Sequence, residues 1–168
     1  TVRVLVNETW DTPNYRCVWN YYNQVRKQVY VDLDIGSPYQ YTFSGTSWRV
    51  ANNDSANNKV NLVSGLQMNV LSIRGMITGY GPGAASSYSC GLGLDSSTVN
   101  AANLTSWALG QTALAGNGFH VQATYDEHPP IGYHLFYLLE KVSVGAGTWY
   151  VFSGIYETMG GIEGTWLC

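Results

Sequence analysis

Residues 124–141, TYDEHPPIGYHLFYLLEK, set Asp126, Glu127, His128 and His134 close together around two prolines and a glycine. Carboxylates beside imidazoles are the material of general acid–base catalysis and of metal ligation, because each can carry a proton or offer a lone pair. The same residues crowd the polar ends of β-hairpins, where the flanking strands carry the purpose. No third ligand is placed beside them by spacing, and no Ser or Cys sits in a recognisable nucleophile elbow. The expectation is a structural role, with no catalytic residue, no metal and no cofactor. His120 and His128 read in the same way, as solvated or satisfied histidines.

A second pair of acids lies in VYVDLDIGSPYQYTF, residues 29–43, where Asp32 and Asp34 share one face of a strand. The DIGSP string is superficially like an early strand of pepsin-like proteases. Those enzymes need Asp-Thr/Ser-Gly to place their dyad, and the triplet is absent; LDSST at 94–98 comes nearest and has Ser where the glycine belongs. These acids read as surface groups beside a turn. GYGPGAASS at 79–87 is glycine-rich, but no helix or Lys follows it as a phosphate cradle requires, so it reads as a surface loop.

The elements that must position these residues are strands. Period-two, β-branched and aromatic segments recur near 1–6, 27–35, 39–43, 47–51, 59–64, 67–78, 88–94, 119–126, 132–142, 147–156 and 162–167. Breakers such as Gly36-Ser37-Pro38, Asn52-Asn53-Asp54 and Gly79-Tyr80-Gly81-Pro82-Gly83 separate them. Residues 98–110 offer the single helical candidate, without a clean apolar stripe. The fold class is all-β: one antiparallel β-sandwich or jelly-roll-like domain over residues 1–168. Strands 119–126 and 132–142 read as a hairpin turned by HPPI, with Asp126 opposite Gly132 and Thr124 opposite His134. That register makes Asp126 and His134 neighbours on one face.

Composition narrows the function. Charged residues are 11% of the chain against about a quarter in ordinary globular proteins, while Gly (19), Tyr (13) and Trp (6) are plentiful. The surface must be largely neutral and hydrogen-bonding. A net charge of −3 with scattered Lys and Arg argues against nucleic acid, and no apolar run reaches membrane-spanning length. The chain begins with Thr and reads as an excised or processed C-terminal part of something longer. Cys17, Cys90 and Cys168 lie far apart with no CxxC pair, which makes a thiolate zinc site improbable. In YHLFYLLEKV both alternating sets are apolar, Leu135, Tyr137 and Leu139 on one face and Phe136, Leu138 and Val142 on the other. Such a strand lies deep in a sandwich or between subunits.

Rigid aromatics with amide and hydroxyl neighbours suit recognition surfaces, and sugars among their ligands. The candidate ligand-binding residues are Tyr80 and Tyr88, flanking the loop 79–88, with Tyr125, His128 and Tyr133 around the diproline turn.

Gly93-Leu94-Asp95-Ser96, Ala123 and Tyr125, Pro130, Gly132-Tyr133-His134, Leu139-Glu140, Gly147-Thr148-Trp149-Tyr150 and the closing Gly161 to Gly164 form a pattern over residues 88–168. It resembles the C-terminal β-rich modules of bacteriophage fibre proteins. The resemblance implies a virion-surface, extracellular head domain, commonly a homotrimer, that binds a host-surface receptor or glycan and is not an enzyme. A structural capsid-decoration protein and a glycan-cleaving hydrolase using Asp32/Asp34 or Asp126/His134 are the alternatives.

Overall fold

Alternation of apolar and polar side chains is the signature of a strand with one face buried, and it runs through most of the chain. A computed structural model describes residues 11–12, 14–16, 26–33, 40–65, 70–81, 86–110, 118–143, 149–152 and 160–167. Their strands are β1 (Asp11–Thr12), β2 (Tyr15–Arg16), β3 (Arg26–Asp32), β4 (Gln40–Phe43), β5 (Arg49–Val50), β6 (Lys59–Ser64) and β7 (Leu71–Tyr80). There follow β8 (Ser86–Leu94), β9 (Leu104–Thr105), β10 (Trp107–Gly110), β11 (Gly118–Glu127), β12 (Gly132–Val142), β13 (Trp149–Phe152) and β14 (Gly161–Leu167). Among the described residues the helical content is one 3-10 turn, Ala51–Asn53. The strand expected at 1–6 lies outside the described residues.

The strands form two seven-stranded sheets. Sheet A runs β1-β2-β6-β12-β8-β10, with β5 also on β12; sheet B runs β3-β14-β7-β11-β9, with β13 also on β7 and β4 on β13. Pairing is antiparallel except between β2 and β6. The fold is the expected all-β sandwich.

β12 and β7 are the central strands of their sheets. β12 is flanked by β6 and β5 on one side and β8 on the other; β7 is flanked by β14 and β13 on one side and β11 on the other. Their inward rows meet in the core, where Leu71, Ile73 and Ile77 of β7 pack among Val121, Ala123, Leu92, Phe136 and Leu138. At Gly75 the sheets lie close together: a Cβ there would stand 2.8 Å from Leu138 Cδ1 and 3.1 Å from Leu92 Cδ2. Burying each such aliphatic side chain contributes about 1.5–3 kcal/mol.

Two expectations are corrected. Residues 98–110 hold β9 and β10 rather than a helix. The side chain of Asn100 takes the Leu92 and Ala102 N–H groups, and Ser106 bonds both backbone groups of Gln122, so local polar side chains and open sheet edges outcompete helical bonding. The second correction concerns the opening stretch. β11 pairs with β7 in sheet B and β12 with β6 and β8 in sheet A, so HPPI is a crossover between sheets and not a hairpin turn.

Candidate functional site

The crossover moves His134 away from Asp126. Asp126 lies opposite Ser72 in sheet B, whereas His134 lies opposite Leu62 in sheet A. His134 is 6% exposed and takes Asp95 as its partner, Nδ1 to Oδ2 at 2.7 Å, while Nε2 stands 2.6 Å from the Pro130 carbonyl. Both ring nitrogens are thus held by protein oxygens. The second Asp95 oxygen accepts the Leu135 N–H at 2.8 Å, and the Asp95 N–H donates to the Leu135 carbonyl at 2.8 Å. Asp95 holds this position with φ 53°, a left-handed conformation that Asp tolerates better than most residues. The contact ties the β8–β9 connection to the β11–β12 crossover. Asp126 and Glu127 are served by Asn103 instead: its Oδ1 accepts the Asp126 N–H at 2.7 Å and its amide donates to Glu127 Oε1.

A second titratable centre, Glu140, is missed by the sequence reading. It falls in the inward row His134, Phe136, Leu138, Glu140, Val142 and is fully buried. The Tyr41 and Tyr88 hydroxyls donate to Oε2 at 2.6 and 2.5 Å. Arg49, directly opposite on β5, gives Nε and Nη2 to Oε1, each at 2.8 Å, and the Asn52 N–H adds a contact of 3.2 Å. Arg49 also lies over the Phe43 ring, 4.0 Å from its centroid. Burial pushes the Glu140 carboxyl above its ordinary value, and the two hydroxyls and Arg49 pull it partly back. Burial, reinforced by the neighbouring charge, raises Tyr41 and Tyr88 well above the ordinary phenol range. Cys90, opposite Glu140 on β8, is buried and unpaired with its thiol pushed up by burial, which keeps it inert. The cluster clamps β4 of sheet B to β5, β8 and β12 of sheet A.

Of the candidate ligand residues, the structure corrects two. Tyr88 points inward in the row Tyr88, Cys90, Leu92, and Tyr125 is 4% exposed with its ring edge-on to Phe136 at 5.0 Å. Neither ring reaches outward, because each strand's period-two alternation commits that position to the core. Tyr80 and Tyr133 are exposed, and the Tyr133 hydroxyl donates to Asn61 Oδ1 at 2.6 Å. His128 is exposed at the start of the crossover. Tyr80 lies at one end of sheet B and Tyr133 in sheet A, so the described residues do not bring the five candidates into one site. Residues 82–85 of the loop and Asp34 lie outside the described residues, as do Cys17 and Cys168. Among the described residues no group of three or more His, Cys, Asp or Glu is gathered as a metal site would need.

What the structure does gather is the outer face of sheet B. Glu163 stands between Tyr30 and Arg74, Gly161 between Asp32 and Met76, and Thr165 between Gln28 and Ser72. The Arg74 guanidinium pairs with Glu163 through Nε at 3.1 Å and through Nη2. Two shallow depressions share Glu163 as a border. One of them lies over Gly160 and Gly161, with Tyr30, Asp32 and Met76 at its sides. Gly161 has φ 148°, and a Cβ there would sit 2.3 Å from the Val31 carbonyl oxygen, so only glycine fits. The outward set Gln28, Tyr30, Asp32 was readable as alternate residues of RKQVYVD; its partners on β14 and β7 were not.

No protein-family model, curated protein or solved structure matches this chain. The functional reading therefore rests on these residues.

Proposed function

We propose that the domain is an extracellular fibre or spike head of a virion, acting as a homotrimer, that binds a host-surface glycan or receptor without cleaving it. The observation that carries the recognition reading is the outer face of sheet B: an open depression that sets the Tyr30 ring beside the Asp32 carboxylate. Pre-ordered strands lose little entropy on binding, and a tyrosine ring with amide and carboxylate neighbours supplies both contact area and acceptors. Two buried ionisable groups favour the reading without catalysis, since His134 and Glu140 are each engaged by structural partners. A single shallow site of this kind binds at around millimolar to micromolar, and three copies on one particle raise the avidity.

A capsid-decoration role is the second reading. Val99, Leu104, Ile131 and Tyr133 are exposed on the segments joined by the Asp95–His134 contact, and such an apolar set suits lasting contact with another protein.

Beads coated with mannan, dextran or galactan test the first reading. Retention of labelled protein on at least one matrix, competed by the soluble polysaccharide, is the expected result. Passage through all of them, with retention on purified capsids instead, would replace it with the second.

A further inference from the structure

Resting on the recognition reading above, we propose that the depression over Gly161 is a sugar subsite. It seats a neutral hexopyranose with its ring against Tyr30 and two adjacent hydroxyls on the Asp32 carboxylate.

Tyr30 and Asp32 are alternate residues of β3, so their side chains leave the same face roughly 7 Å apart along the strand. Tyr30 is 42% exposed, a large ring presented to solvent on an otherwise polar face. Its cross-strand neighbour Glu163 is already taken by Arg74. Asp32 is exposed, and no described residue donates to its carboxylate. Two oxygens with about four lone-pair sites match a pair of adjacent hydroxyl donors. Opposite Asp32 stands Gly161, whose backbone conformation admits no side chain, so the floor between Asp32 and Met76 is bare main chain. A ligand can approach there as closely as a backbone allows.

Charge selects within the sugars. Arg74 and Glu163 neutralise each other, which leaves Asp32 as the net charge of the depression. An acidic sugar is repelled and a neutral one is not. One carboxylate also falls far short of the roughly six to eight oxygens that calcium gathers, so a cation does not replace the sugar.

A titration followed by amide nitrogen–proton NMR tests this, using methyl α-mannopyranoside, methyl β-galactopyranoside, methyl β-glucopyranoside and the methyl glycoside of N-acetylneuraminic acid. At least one neutral glycoside should shift the Tyr30, Asp32 and Gly161 amides with an affinity around millimolar, and the acidic one should not. Tyr30→Ala and Asp32→Ala should each weaken that binding at least about tenfold at an unchanged melting temperature, while Tyr30→Phe should retain it. Both residues are exposed, so the variants fold. Neutral glycosides that leave these amides unmoved at about 100 mM, or shifts that persist in both alanine variants, overturn the subsite. Bead retention independent of Tyr30 sinks the subsite alone, whereas absence of retention by the unmodified domain sinks the recognition reading with it.

Discussion

His134 and Asp95 meet across 39 residues of chain, Nδ1 to Oδ2 at 2.7 Å, and the contact locks two connections at one end of the sandwich. Because Asp95 also accepts the Leu135 N–H, its loss strands two donors at once. Asp95→Ala should destabilise the domain by about 1–2 kcal/mol, the lower part of the range for charge-assisted bonds because Asp95 is half-exposed. Asp126→Ala should leave the urea midpoint where it is. The opposite ranking would restore the hairpin pairing of Asp126 with His134.

The closeness of the two sheets at Gly75 predicts coupling with Leu138. Gly75→Ala adds a methyl 2.8 Å from Leu138 Cδ1 and should cost about 1–3 kcal/mol. Leu138→Val removes that contact, so the double variant should be more stable than the sum of the single effects. Strict additivity would show that the sheets do not meet there. Leu138→Asp should give insoluble protein, since Leu138 is core and not subunit interface.

Glu140 predicts a pH dependence. Burial raises its folded carboxyl above the ordinary 4.5, so the folded state holds this proton more tightly than the unfolded chain. The stability it contributes is complete below about 4.5 and declines as pH rises through the raised folded value. Glu140→Gln lacks that decline. Its stability relative to the unmodified protein should therefore improve between about pH 4 and about pH 8, read from urea midpoints. A gap that narrows in the other direction would mean that Arg49 and the tyrosine hydroxyls outweigh burial.

Strand positions were legible because alternation is local: β6 and β12 fall at 59–64 and 132–142 as expected, and β11 extends its expected span by one residue at each end. Pairing was not legible, since consecutive strands pair only about two-thirds of the time and nothing in HPPI marks a crossover. Asp95 stood in the GLGLDSS pattern, yet its link to His134 depends on β8 lying beside β12. The burial of Tyr88 and Tyr125 was legible in principle, as each continues an apolar alternate row, Tyr88 with Cys90 and Leu92, Tyr125 with Val121 and Ala123. Glu140 offered the reverse signal, a charge inside an apolar row. The depression over Gly161 needed three strands that meet only in the folded sheet.

Under the fibre-head reading the exposed Leu104 and Ile131 are predicted to lie in the contact of a homotrimer rather than against a capsid. Light scattering should return a trimer's mass for the unmodified protein, and Leu104→Asp with Ile131→Asp should release a folded monomer. A concentration-independent monomer before any substitution would contradict this.

Binding without cleavage is tested most directly by one chromatographic run. Fluorescent mannan, dextran or galactan, whichever the domain retains, is incubated with the protein overnight and its size distribution compared with an untreated sample. The domain should co-elute with the polymer, and the polymer's length should be unchanged once the protein is digested away. Shortened polymer would contradict the account and make the domain a hydrolase.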